Sequence, residues 1–457
     1  MSTSKTVKTK IAKTSDTPST TKPSTEVVAS LVTVQEHYQE FPYPFRDPED
    51  ETQRLLMVCG ENLYELNHFL YKGKEDFNKG FRVLIAGGGT GDSAIYMAEQ
   101  LKNKKAEIVY LDFSKPSMEV AQKRAEKRGL TNITWVLDSI LNIPNLNLGK
   151  FDFINCSGVL HHLQSPPAGL KILQDSLTAN GGMMIMVYGQ YGRTGVYQMQ
   201  DIMKMVNQDI SNRVAEVMNA KLILDILPAT NWLVRGKELV NDVATFGDIG
   251  VYDLFLHKQD RAYTIPELYE FIHDAGLHFV EFNDVAEKLA LRPESHIKDF
   301  SLLQRIKKMD VVTQQAICEL IVGNIIKHTF YASNQKDSIA NFDNLNNVPL
   351  FWGLAKNISQ QIYDHITNLQ PSHFINFTLN NQFIQNHNIQ IPIGNYTKNV
   401  VKQMIDGNKS FAEICDAVRE ELQQEISNEA LMIEIKNIST PFLNAGNMLF
   451  HDKSVTI

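Results

Sequence analysis

The sequence predicts an α/β protein: a doubly wound, mostly parallel sheet carrying a helical insertion and followed by a smaller C-terminal α+β domain. Three observations lead there. Strand-like runs at 82–86, 107–111, 133–137, 151–155 and 183–188 alternate with helical stretches at 92–102, 116–128 and 167–177. That rhythm lays strands parallel and puts helices on both faces. The first run stops abruptly at Gly87-Gly88-Gly89-Thr90-Gly91, and ligands of such sheets sit at the carboxyl ends of the strands. After residue 190 the rhythm changes to long helical segments, roughly 195–224 and 265–275.

At 457 residues the chain has length for two or three domains, and 43% hydrophobic and 21% charged residues describe an ordinary globular protein. A formal net charge of -8 argues against a general nucleic-acid or acidic-membrane binder. No run approaches the apolar length that spans a bilayer. Cys59, Cys156, Cys318 and Cys415 are far apart and include no CxxC, which points to reduced, mostly buried thiols in a cytoplasmic type of compartment. The Ser/Thr/Lys/Pro-rich start cannot bury enough surface to offset its ordering entropy, so residues 1–28 are expected to be a disordered tail.

Along the chain, Leu55, Cys59, Leu63, Leu66 and Leu70 fall at helical spacing and predict one amphipathic helix. The phrase AGLHFVEF (275–282) reads as a helix end and a strand, with HTFYAS (328–333) as its partner. The expected domains are 29–335, with the insertion at about 191–262, and 346–457, joined through the Asn-rich stretch 333–347. In the second, Ser410 and Glu413 form a capping-box pattern that turns Phe411, Ile414, Cys415 and Val418 inward. Residues 396–457 hold six Lys/Arg and nine Asp/Glu, the wrong balance for phosphate contacts. Protein contact, dimerisation or substrate presentation suits that unit better.

Three ligand classes use a glycine turn after a first strand. A triphosphate loop needs GxxxxGK[ST], which is missing here. A dinucleotide loop needs GxGxxG, and the third glycine position is Asp92, a carboxylate that would repel a pyrophosphate. What stands is Gly87-x-Gly89-x-Gly91, suited to close backbone approach by a ligand without phosphate, such as S-adenosylmethionine. Asp112 closes the second strand twenty-one residues after Gly91, where a carboxylate can accept both ribose hydroxyls, with Phe113 beside it. Asp138-Ser139 closes the third strand, where a carboxylate can accept from an adenine amine, and Asn155 closes the fourth beside the reacting centre.

With these residues in order, and the GVLHHL turn (158–163) after them, residues 81–190 resemble a class I S-adenosylmethionine-dependent methyltransferase with its Rossmann-like sheet. The phrases YPFRDPEDE (43–51), YGRTGVYQMQ (191–200) and LHKQDRAYTIPEL (256–268) are similar to a bacterial subgroup of uncharacterised methyltransferase-domain proteins. The resemblance implies S-adenosyl-L-methionine as cofactor and methyl transfer to an acceptor it does not name, a protein side chain or a small molecule. The family has an acid two residues before the first glycine; this chain has Ile85, and Asp92 is expected to meet the ammonium end through the turn.

Tyr188, Tyr191, Arg193 and Tyr197 follow the fifth strand, where the fold overhangs the methyl group, and Asp253, His257, Asp260, Arg261 and Tyr263 precede the next helix. The two groups are expected to meet above the methyl site, with Tyr188, Tyr191, Arg193 and His257 as catalytic candidates. Asp260-Arg261 also reads as a simple exposed ion pair, and His161-His162 as closing the cofactor pocket rather than holding a metal. Two other readings stay open: a regulatory protein that binds the cofactor with little catalysis, and a nicotinamide-dependent oxidoreductase. A homodimer through the C-terminal domain is a further expectation.

Overall fold

A computed structural model describes residues 44–236, 247–257, 259–353, 358–366, 369, 371–379 and 387–457. The expected tail, and the onset of order expected near Ala29, lie outside the described residues. All five predicted strands form: β1 (Phe81–Ala86), β2 (Ala106–Asp112), β3 (Ile133–Leu137), β4 (Phe151–Ser157) and β5 (Leu177–Gly189). A two-residue strand β6 (Ala262–Tyr263) pairs with the end of β5, and β7 (His278–Phe282) and β8 (Lys327–Ser333) complete the sheet. Its order is β3-β2-β1-β4-β5-β8-β7. β1 to β5 run parallel, and β8 lies antiparallel to both β5 and β7. The expected pairing of 278–282 with 328–333 is present, Phe282 opposite Phe330.

The double winding follows from period-two burial along β1. Val83 and Ile85 enter one core with Leu63, Leu66, Ile95 and Ala121. Leu84 and Ala86 enter the opposite core with Leu170, Leu173, Leu268 and Phe271. On the first face lie α1 (Leu63–Leu70), α2 (Asp92–Gln100) and α3 (Lys115–Arg128); on the second lie α4 (Pro166–Asp175) and, after the insertion, the helix Ile265–Asp274.

Some elements differ from expectation for local reasons. The helix expected from Leu55 begins only at Leu63, because Gly60 takes a φ of +79° and Asn62 caps the helix through a capping box with Glu65. Cys59 is left exposed, whereas Cys156, Cys318 and Cys415 are buried. The segment 195–224 is two helices, α5 (Thr194–Val206) and α6 (Arg213–Ile226), since Asn212 supplies a new N-cap. With α7 (Asp248–Phe255) they share a core of Val196, Met199, Met203, Ala220, Leu254 and Phe255. The stretch 334–346 has no helix or strand but is pinned to α1: Ala340 N–H donates to the His68 carbonyl at 2.7 Å.

In the C-terminal part, β9 (Asn347–Phe351) pairs antiparallel with β12 (Met448–Asp452), and β10 (Phe374–Leu379) with β11 (His387–Pro392). Ser410 and Glu413 form the capping box of Phe411–Leu422, whose Phe411, Ile414, Cys415 and Val418 are buried. β12 docks on α1, Phe450 N–H donating to His68 Nδ1 at 2.9 Å. Among the described residues, no helix is long and apolar enough to cross a membrane.

Candidate functional site

The carboxyl ends of β1, β2 and β4 stand side by side, Ile85 paired with Tyr110 on one flank and Asn155 on the other. Gly91 has a φ of +102°, and a Cβ there would lie 2.7 Å from that of Ala121 on α3. Gly88 packs so closely on Tyr110 that a Cβ would meet its ring at 2.1 Å. The Tyr110 hydroxyl donates to the Gly89 carbonyl at 2.6 Å, so the turn is held open in one shape. Side chains are excluded here by geometry, which leaves bare backbone facing whatever lies at the strand ends.

Asp112 locks the turn from the neighbouring strand. Its carboxylate accepts from Gly89 N–H at 2.8 Å and from Ser114 N–H at 2.7 Å. Burial pushes this carboxyl up, and the N–H groups of Ser114, Gly89 and Phe113 work against that rise. Asp138 accepts from Ser139 N–H at 2.7 Å and Asn142 Nδ2 at 2.9 Å, shaping the turn after β3, and Ser139 caps the 3₁₀ segment that follows. Asn155 is buried at the end of β4 and donates to Glu61.

Asp92, expected to meet the ammonium end of the cofactor, is already paired from two sides. Arg46 reaches its carboxylate at 2.6 Å and Arg124 at 2.7 Å. Burial works to raise the Asp92 carboxyl, but the two guanidiniums outweigh it and hold the group below its ordinary range. Arg124 is itself fully buried; it also meets Glu51 at 2.6 Å and the Thr90 carbonyl at 2.8 Å. The segment 44–54 is thereby strapped across the glycine turn, with Thr90 Oγ1 donating to the Pro44 carbonyl at 2.7 Å.

The residue that sequence reasoning missed is Glu61. It is fully buried, and its carboxylate accepts from Ser93 Oγ at 2.7 and 2.8 Å and from Asn155 Nδ2. Burial pushes its carboxyl up to about 8, opposed chiefly by Ser93. In the sequence it is only an acid ahead of a helix cap; nothing local separates it from an exposed one.

On the other side of the strand ends, the two polar groups flanking the insertion meet. Arg193 forms an ion pair with Asp260 at 3.0 Å, both side chains almost wholly buried, and its guanidinium lies 3.6 Å from the Tyr188 ring centre. Asp260-Arg261 is therefore not an exposed pair: Asp260 turns inward to Arg193, and the Arg261 side chain stays exposed. The His161 ring lies 3.8 Å from Tyr188 and 4.2 Å from His162, and His257 stacks on His162 at 4.0 Å. Arg261 N–H donates to the His161 carbonyl at 3.0 Å, joining the far side of the insertion to the turn after β4. Neither ring nitrogen of His161 has a hydrogen-bond partner among the described residues, and burial keeps the ring neutral. Tyr197 has its ring 5.6 Å from the Arg193 guanidinium, while the carboxylates acting on Tyr191 are Glu319 and Glu267. Asp253 is buried on α7, and the Tyr263 ring contacts Arg261 at 4.7 Å.

Residues 77–247 match the methyltransferase-domain family. Sheet order, glycine turn and this match together define a class I methyltransferase domain, of the S-adenosylmethionine-dependent kind. Over 205 residues the chain is 35% identical to an uncharacterised protein of Synechococcus sp., covering 44% of this chain and 48% of that one. It is 30% identical over 129 residues to the ubiquinone biosynthesis O-methyltransferase of Vibrio campbellii, 28% of this chain and 51% of that one. The chain thus spans about half the length of these curated relatives. The fold is similar to that of PKMT2 from Rickettsia typhi in complex with AdoHcy, with TM-score 0.57 and 16% identity over 85% of this chain and 75% of that one.

Proposed function

We infer that the protein transfers a methyl group from S-adenosylmethionine to an acceptor bound beneath the insertion. The observation that carries this reading is the bare glycine turn locked by Asp112 at the carboxyl edge of the sheet. The residues fit the cofactor: the turn offers backbone without side chains, and Asp112, Asp138 and Asn155 present polar groups along one row of strand ends. Gly87, Gly89, Gly91, Asp112 and Phe113 would hold its ribose side, Asp138 and Ser139 its base, and Asn155 its tail. Asp92 drops out as a direct contact, because two guanidiniums already occupy its carboxylate.

When bound, the cofactor supplies an already activated methyl group. The chain has then to align a nucleophile and exclude water. Tyr188 and Arg193 form the wall between the turn after β4 and the insertion. Asp260 fixes the guanidinium, so its direction is set before the acceptor arrives. His161, held neutral by burial beside Arg193 and His257, is a poor proton acceptor and packs the wall instead. Tyr191 and His257 would shape the pocket from either side. The likeness to O-methyltransferases of ubiquinone biosynthesis supports a small oxygen acceptor as one class; a protein side chain is the other.

The experiment is mass spectrometry of methylated proteins and metabolites in cells with and without the protein. A species that gains 14 Da only when the protein and an intact Asp112 are present supports the reading and names the acceptor. No such species, together with no cofactor binding by the purified chain, would remove it.

A further inference from the structure

We propose that Glu61 is the carboxylate that holds the ammonium group of the cofactor's amino-acid tail, supplied from the segment before α1 in place of the acid that β1 lacks at Ile85. This rests on the methyltransferase reading and deepens it.

Placement is the first support. Ile85 and Asn155 are in register on adjacent strands, and Asn155 Nδ2 donates to the Glu61 carboxylate. The other donor, Ser93, lies in the first turn of α2, two residues beyond Gly91. Glu61 therefore bridges the two structures that frame the glycine turn.

Rigidity is the second. The Glu61 carbonyl accepts from Gln100 Nε2 at 3.0 Å, the Leu63 N–H donates to Gln100 Oε1 at 3.1 Å, and Asn62 Nδ2 reaches the Tyr96 hydroxyl at 3.3 Å. On the other side, Tyr331 donates to the Gly60 carbonyl at 2.7 Å. Four bonds to α2 and β8 hold the backbone around one buried acid.

Charge is the third. Two acids stand at this turn, and their surroundings are opposite. Asp92 is matched by Arg46 and Arg124. Glu61 forms no ion pair among the described residues, and the charged groups acting on it, Asp92 and Glu65, are both acidic. The other titratable groups facing it are Cys59 from its own segment, Tyr96 from α2 and Tyr331 from β8. A buried carboxyl with polar donors and no cation is costly to ionise, and a cation arriving with a ligand reverses that. With its carboxyl pushed up to about 8, Glu61 is protonated before binding at neutral pH and gives up the proton as the ammonium docks.

The test is calorimetry of S-adenosylhomocysteine and of adenosine, which lacks the tail, on the full chain and on Glu61→Gln. We expect S-adenosylhomocysteine to bind Glu61→Gln roughly ten- to a hundredfold more weakly, the range for a charge-assisted hydrogen bond, with adenosine unaffected. The parent chain alone provides a second arm. Titration in two buffers of different ionisation enthalpy should show close to one proton released on binding S-adenosylhomocysteine at pH 7 and none with adenosine. Equal affinity of parent and variant, or no proton release from the parent, would overturn the assignment while leaving the methyltransferase reading intact. No binding of S-adenosylhomocysteine to the parent would instead remove the reading on which it rests.

Discussion

Arg193 and Asp260 lie 67 residues apart in the chain and form a buried ion pair at 3.0 Å. The pair closes the insertion on itself, and the Arg193 guanidinium then lies over the Tyr188 ring at the end of β5. Arg193→Ala strands a buried Asp260, so it should lose about 3–5 kcal/mol of stability, the cost of breaking such a pair. Arg193→Met combined with Asp260→Asn removes both charges and should recover most of that loss. If Arg193 also orients the acceptor, the double variant stays slow in methyl transfer while S-adenosylhomocysteine binding is nearly unchanged. Denaturant melts and transfer assays on both variants check this; full activity in the double variant would make the pair purely structural.

Asp112 has two tasks, and Asp112→Ala removes both. Its carboxylate holds Gly89 N–H and Ser114 N–H, and in the proposed complex it also accepts ribose hydroxyls. Asp112→Ala should weaken S-adenosylhomocysteine binding at least about tenfold, two lost charge-assisted bonds being worth roughly 1.5–3 kcal/mol each before compensation. An unchanged dissociation constant by calorimetry would place the ribose elsewhere.

His328 offers a test of the fold. It is fully buried on β8, with Glu287 at 2.6 Å and Glu319 at 3.3 Å on its two ring nitrogens. Burial alone would lower its pKa, but the two carboxylates outweigh it and raise it from 6.5 to about 9. A folded pKa above the unfolded one gives stability that is complete below about pH 6.5 and is lost as pH rises through 9. Denaturant midpoints of the parent should therefore fall between pH 7 and pH 10, and those of His328→Gln should fall less. Parallel pH profiles of the two proteins would contradict the assignment.

The strap across the glycine turn should be needed for the cofactor site and for the fold together. Arg124→Met takes one of two guanidiniums from buried Glu51, leaving Arg128, and frees one side of Asp92. A loss of roughly 1.5–3 kcal/mol is expected, below the cost of a stranded buried charge because Arg128 stays on Glu51. Thermal melts of the variant against the parent measure the loss, and an unchanged midpoint would contradict the role given to the strap.

The sheet was legible in the sequence because its signal is local: apolar runs, intervening amphipathic helices and a glycine turn at the end of the first strand. So was the capping box at Ser410, four residues with a fixed hydrogen-bond pattern. The start of α1 was not read, since apolar spacing continues through Leu55 and Cys59; Gly60 and the Asn62–Glu65 capping box end it, and the Gly60 carbonyl is held by Tyr331, 271 residues further on. Asp92 and Glu61 show the same limit at the site. Each is one carboxylate in the sequence, and only distant partners distinguish them: Arg46 and Arg124 neutralise the first, while Ser93 and Asn155 bury the second without a cation. The meeting of Arg193 with the stretch before Tyr263 was legible as a consequence of chain return to neighbouring strand ends; its pairing with Asp260 in place of Arg261 was not.

The measurement that bears most directly on the central claim is calorimetry of the purified chain with S-adenosylhomocysteine and, separately, with NAD. The glycine turn lacks the third glycine of a dinucleotide loop and has Asp92 in its place. S-adenosylhomocysteine should bind with one site per chain, and NAD should give no measurable heat. Tight NAD binding with no response to S-adenosylhomocysteine would contradict the account.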